Sequence, residues 1–191
     1  MKRLNTIVIV CSKIFEVCYW IADALMVLLL IGAFVMPERI ASWIVSQDAG
    51  ELNIQGMEIA VQAGNTGSIA PFSHALVIAA ITGIVVCALM AMVFRNIYLI
   101  FRTARGTTWF SKGQTPFQPD NIRMVREIGI FCILIPVIQL VMSVIGMLVI
   151  RPESVEISVS MNGVVMGIIV LCLSQFFAYG TQLQEDVDGL V

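Results

Sequence analysis

Residues 75–94 read ALVIAAITGIVVCALMAMVF, carry no charge, and stop against Arg95. A helix needs about 20 predominantly apolar residues to cross a hydrocarbon core of roughly 30 Å, and this stretch supplies them without a break. Working outward, three more windows meet the same requirement, at 14–36, 128–150 and 161–179. The whole 191-residue chain agrees, with 59% hydrophobic and 13% charged side chains and a mean hydropathy of +0.93, against about 25% charged in ordinary soluble domains. This pattern implies an integral membrane protein and excludes a soluble domain, a disordered chain or a nucleic-acid-wrapping one.

The first window differs from the others because Glu16 and Asp23 interrupt it. Lys2 and Arg3 before an apolar stretch raise the rival reading of a cleaved signal peptide. Three features argue against it: an Asp inside the apolar region, a stretch too long for a signal, and no clear small-residue cleavage site after it.

Basic residues set the direction of threading, since loops rich in Lys and Arg stay on the cytoplasmic side. Lys2, Arg3 and Lys13 precede or enter the first span, and Arg95, Arg102, Arg105, Lys112, Arg123 and Arg126 lie between the second and third. Only Arg39 and Arg151 fall on the other side, next to Glu38, Asp48, Glu51, Glu58, Glu153 and Glu156. Both termini are therefore expected in the cytoplasm, with a cytoplasmic loop at 95–127 and outside loops at 37–74 and 151–160. The acidic end, Glu185, Asp186 and Asp188, does not oppose this, because acidic residues contribute little to the rule.

The longer outside loop places Leu52, Ile54, Ile59 and Val61 at alternating positions around Gly56, and the shorter alternates Val155, Ile157 and Val159 with Glu156, Ser158 and Ser160. Period-two alternation around a Gly predicts paired strands, and three strands with one apolar face persist where two are marginal. The expected fold class is an all-α membrane protein. It is a four-helix transmembrane bundle forming a single domain over residues 1–191, with a small extracytoplasmic antiparallel β-sheet cap.

Asp23 is the most informative polar residue. At 1.5 Å per residue it lies roughly 13 Å into the first span, where a charged Asp costs on the order of 2.5 to 3.5 kcal/mol on insertion scales. It should face protein and find a partner. Gln139 is midway along the third span, and Pro136 one turn earlier frees the carbonyl of Cys132. An intramembrane polar cluster of Asp23, Gln139 and Ser143 is expected, with Glu16 on nearly the same face of the first helix and within snorkelling reach of Arg95. Such a cluster serves either as interhelical glue or ligand sensing, or as a proton or cation path. Gly163 and Gly167 form a GxxxG spacing, which predicts close packing inside the chain rather than dimerisation.

Five cysteines, none in an outside loop and none in a CxxC spacing, give neither a disulfide framework nor a metal signature. His74 is the one histidine, so paired His ligation of a haem within the chain is impossible. No GxSxG, HExxH, Walker loop or paired-acid motif occurs. Neither enzymatic catalysis, a metal nor a cofactor is expected.

The loop at 95–127 carries more punctuation than topology needs: Arg102, Arg105, Gly106, Trp109, Phe110, Lys112 and Gly113, then Pro116, Phe117 and Pro119. Asp120 or Asn121 reads as a helix cap. After it Ile122, Val125 and Ile128 make an apolar stripe, while Arg123 and Arg126 face headgroups or water. This is either an inside-retention signal with an aromatic anchor or a docking surface for a soluble partner or anionic lipid. The stretch from Thr115-Pro116-Phe117 through Asn121-Ile122-Arg123 to Ile128-Gly129, and the ending from Gly180-Thr181-Gln182 to Val191, resemble bacterial four-span membrane proteins grouped as a domain of unknown function. Those proteins are often encoded beside a short Cro-type helix-turn-helix regulator. The resemblance implies a membrane partner that holds, or signals to, such a regulator; with no catalytic motif, the expectation is a non-enzymatic inner-membrane protein that acts by interaction and does not itself bind nucleic acid. The docking residues would be Arg102, Arg105, Trp109, Phe110, Lys112, Phe117, Arg123 and Arg126, with the carboxyl tail Glu185, Asp186 and Asp188. The alternatives are a small transporter or proton-coupled subunit using Asp23, and an accessory subunit of a larger membrane complex; either is compatible with an oligomer.

Overall fold

A computed structural model describes residues 2–36, 39, 51–54, 57–60, 70–109, 118–150 and 161–188. Four helices dominate: α1 Lys2–Val35, α2 Ala70–Ala104, α3 Pro119–Ile150 and α4 Asn162–Asp188. All four are long and apolar enough to cross a membrane. They have 34, 35, 32 and 27 residues, so at 1.5 Å per residue each measures about 40 Å or more. Each is longer than the hydrocarbon core it would cross.

The ends have local causes. α1 stops just before Pro37, whose ring disfavours helical backbone in the residue ahead of it. α2 ends in a left-handed glycine, Gly106 with φ 69°. The Gly106 N–H donates to the Thr103 carbonyl at 2.9 Å and the Thr107 N–H to the Arg102 carbonyl at 3.1 Å, the paired bonds of a Schellman cap. α3 opens with Pro119 at its first position, where the missing N–H is harmless. The Gln118 carbonyl accepts from the N–H groups of Asn121 at 3.0 Å and Ile122 at 3.1 Å. Gln118 therefore caps the helix, and Asp120 and Asn121 lie inside its first turn rather than at the expected cap position. Pro136 sits within α3 without ending it.

Before α2, strands β1 Glu51–Ile54 and β2 Met57–Ala60 pair antiparallel, with Leu52 opposite Ile59 and Ile54 opposite Met57. The described residues contain this two-stranded ladder and not the expected three-stranded cap. The third stretch, Val155, Ile157 and Val159, lies outside them, as does Val61.

The chain divides into two compact units. The first comprises Met1–Tyr19, Leu89–Leu134 and Asn162–Val191, and thus holds all of α4. In it Phe15 and Tyr19 of α1 stack on Phe94 of α2, with ring centroids 5.0 and 5.6 Å apart. Its α3 and α4 pack antiparallel through glycines. A Cβ at Gly129 would stand 2.8 Å from Leu171 Cγ, and one at Gly167 would stand 2.5 Å from Ile133 Cγ1 and 2.7 Å from the Gly129 carbonyl oxygen. The second unit comprises Trp20–Ala88 and Ile135–Met161. Its core is built largely of small side chains, Ala33, Ala75, Ala79, Ala80 and Val86, and Met26 lies against Gly83.

Candidate functional site

Two sets of polar side chains stand out, one in each unit. In the first unit they gather at the Arg-rich helix ends. Arg102 organises the end of α2: its Nη1 donates to the Tyr98 hydroxyl at 3.0 Å and its Nη2 to the Thr107 carbonyl at 3.2 Å. The Thr107 hydroxyl donates back to the Arg102 carbonyl at 2.9 Å. The side chain thus braces the same cap that the backbone bonds close. Two cations approach the Tyr98 ring, Lys13 Nζ at 5.2 Å and Arg102 Cζ at 5.6 Å from its centroid, a proximity the ring quadrupole favours. Arg105 reaches α1, donating from Nη2 to the Thr6 hydroxyl at 3.0 Å.

Glu16 is 7% exposed and pairs with Lys13 of its own helix at 3.0 Å; Arg95, which sequence reasoning offered as its partner, points to the exterior. Glu127 joins α2 to α3. Its Oε2 accepts from buried Asn96 at 3.1 Å and its Oε1 from Arg123 at 2.8 Å. Thr103, Gln118 and Asn121 are buried nearby in the chain, at 0, 3 and 0% exposure. Around this fixed framework Arg123 and Arg126 are exposed, and Trp109 is 95% exposed. Of the remaining expected docking residues, Phe110, Lys112 and Phe117 lie outside the described residues. Glu185, Asp186 and Asp188 fall on the last turns of α4, with Asp186 exposed.

In the second unit Asp23 is half-buried, and its Oδ1 is buried without a hydrogen-bond partner. It lies close enough to Cys87 to interact electrostatically. Gln139 and Ser143 are both 2% exposed, and the Ser143 hydroxyl donates to the Gln139 carbonyl at 2.8 Å. Thr82 does the same to the Ile78 carbonyl, the local back-bonding that satisfies a hydroxyl within its own helix. Glu16 belongs to the other unit.

Sequence reasoning missed Tyr98, Asn96, Glu127 and Thr107. One signal for them was present: Asn96 and Tyr98 follow directly on the charge that ends the second span. Among the described residues no three His, Cys, Asp or Glu side chains gather where they would hold a metal ion. Compared with protein-family models, with curated proteins and with solved structures, the chain has no match.

Proposed function

We propose that this chain is a non-enzymatic protein of a bacterial inner membrane, both termini cytoplasmic, and that it acts by interaction. Its Arg-rich end is a platform for a soluble partner, and the partner is a small helix-turn-helix regulator. One observation carries the reading: Trp109, 95% exposed, stands just beyond a helix end braced by Arg102, Thr107 and Tyr98. A large exposed aromatic just past a braced helix end, in an Arg-rich part of the chain, has the makings of a binding anchor. Topology alone would be served by scattered lysines.

Co-purification in mild detergent tests this. The intact protein should retain the regulator, whereas Trp109→Ala and a chain lacking its last eight residues should each lose it. Equal recovery by all three would remove the platform.

A second reading rests on Asp23, whose buried, partnerless oxygen suits a small transporter or proton-coupled subunit. Flux into liposomes should then vanish in Asp23→Asn, and unchanged flux would exclude this role.

A further inference from the structure

The end of α2 carries more positive charge than its own contacts answer. Arg95, Tyr98, Arg102 and Arg105 follow one another at steps of three, four and three, which sets them along one face of the helix. Within the first unit α1 runs antiparallel beside it: Thr6 meets Arg105, Lys13 meets Tyr98, and Phe15 and Tyr19 meet Phe94. The two helices thus bring Lys13 and Arg102 to the same ring, and Arg95 is exposed one turn before it. Glu16 is the acid of this group, and Lys13 already holds it at 3.0 Å. Arg102 spends its hydrogen bonds on neutral acceptors, the Tyr98 hydroxyl and Thr107. Among the described residues neither Arg95 nor Arg102 has a carboxylate partner.

Depth decides what can answer this charge. The apolar helix His74–Ala104 has 31 residues, about 46 Å at 1.5 Å per residue, so about 16 Å of it must lie outside a hydrocarbon core of roughly 30 Å. The uncharged run at 75–94 fills that core, and Tyr98 stands about 6 Å beyond Phe94. This is the level of the headgroups, which form a layer of about 5 to 8 Å on each side. Arg102 is drawn back to it, since helical side chains lean towards the N-terminus and its Nη1 rests 3.0 Å from the Tyr98 hydroxyl. Lys13 Nζ, 5.2 Å from the Tyr98 centroid, shares the level.

We propose that Lys13, Tyr98 and Arg102 form a site for the phosphodiester headgroup of an anionic phospholipid. Lys13, Arg95 and Arg102 stand against a single acid, Glu16, and this excess of positive charge favours a headgroup that brings no cation of its own over a zwitterionic one. The ammonium and the guanidinium both donate to phosphate oxygens. The Tyr98 hydroxyl accepts from Arg102 and still has its own hydrogen to give. Nearer the core Phe15 is 50% exposed although it stacks on Phe94, and so offers acyl chains an apolar surface that free phosphate could not use. The site takes in α1 and needs no regulator, and it stands if the docking platform fails.

Native mass spectrometry of the detergent-purified chain tests this, with phosphatidylglycerol and phosphatidylcholine of the same acyl chains titrated in turn. Phosphatidylglycerol should bind at least about tenfold more tightly, since each basic residue beside an anionic headgroup is worth roughly fivefold. Arg102→Gln and Lys13→Gln should each weaken it about fivefold and leave phosphatidylcholine unchanged. The Lys13 variant keeps the test sound should Arg102→Gln loosen the α2 cap, to which Lys13 makes no contact. Arg126→Gln removes an exposed charge of α3 and should change the affinity less than about twofold, because charges outside the group are screened. Excess inorganic phosphate should leave the lipid bound. Equal affinity for the two lipids, a loss in Arg126→Gln as large as in Arg102→Gln and Lys13→Gln, or displacement by inorganic phosphate would overturn the site.

Discussion

Asp23 shows how far a single side chain can depart from its surroundings. It interrupts an otherwise apolar span, and its Oδ1 is buried with no hydrogen bond to offset the loss of water. A buried acceptor without a partner costs about 1 to 3 kcal/mol, more when charged, so the carboxyl works against the fold. Asp23→Leu should consequently raise the midpoint of thermal unfolding in detergent, by the equivalent of about 1 kcal/mol or more, and Asp23→Asn should at least not lower it. A fall in both would mean that the carboxyl is held by a partner. Glu127 is the opposite case, since it joins two helices. Arg123→Ala removes an exposed pair worth less than about 1 kcal/mol, whereas Glu127→Ala also leaves buried Asn96 without its acceptor, at about 1 to 3 kcal/mol. Measured by the same melting assay, the Glu127 variant should be the less stable of the two by a clear margin. Equal midpoints would mean that Asn96 finds another acceptor.

At the scale of the element, the decisive contacts are those where backbones approach. A Cβ at Gly167 would stand 2.7 Å from the Gly129 carbonyl oxygen, and backbone cannot yield as a side chain can. Gly167→Ala should destabilise by about 1 to 3 kcal/mol, the usual range for overpacking. Gly83→Ala makes the control, because its nearest neighbour is the flexible Met26 Sδ at 3.2 Å, and it should shift the midpoint little. If both variants melt alike, the glycine contact does not hold α3 to α4. These helices also show what was legible beforehand. The four apolar windows were plain, because hydrocarbon thickness and residue type determine them. The overruns were not: α2 continues from Phe94 to Ala104 through Arg95 and Arg102, since a helix ends where its cap lies and not where lipid does. The inward direction of Gly167 was anticipated. Its partner was not, because the alignment of one helix on another is absent from any single segment. The same limit applies to Asp23, whose burial was readable while its neighbour Cys87 was not.

For the whole molecule the question is which face the Arg-rich helix ends present to the cytoplasm. Nine of its 11 basic residues lie in segments assigned to one side, and each basic residue left in a short loop opposes translocation of that loop. In a cysteine-free background, Ser111→Cys in the loop at 95–127 should resist a membrane-impermeant maleimide in intact cells and react once the cells are opened. Ser46→Cys in the loop at 37–74 should react in both. Uniform insertion is thus required to present Trp109 and the exposed arginines to a cytoplasmic partner. Labelling of both positions in intact cells would show mixed insertion and undo the platform. Labelling with the sides exchanged would remove the platform too, since the Arg-rich helix ends would then face away from the cytoplasm.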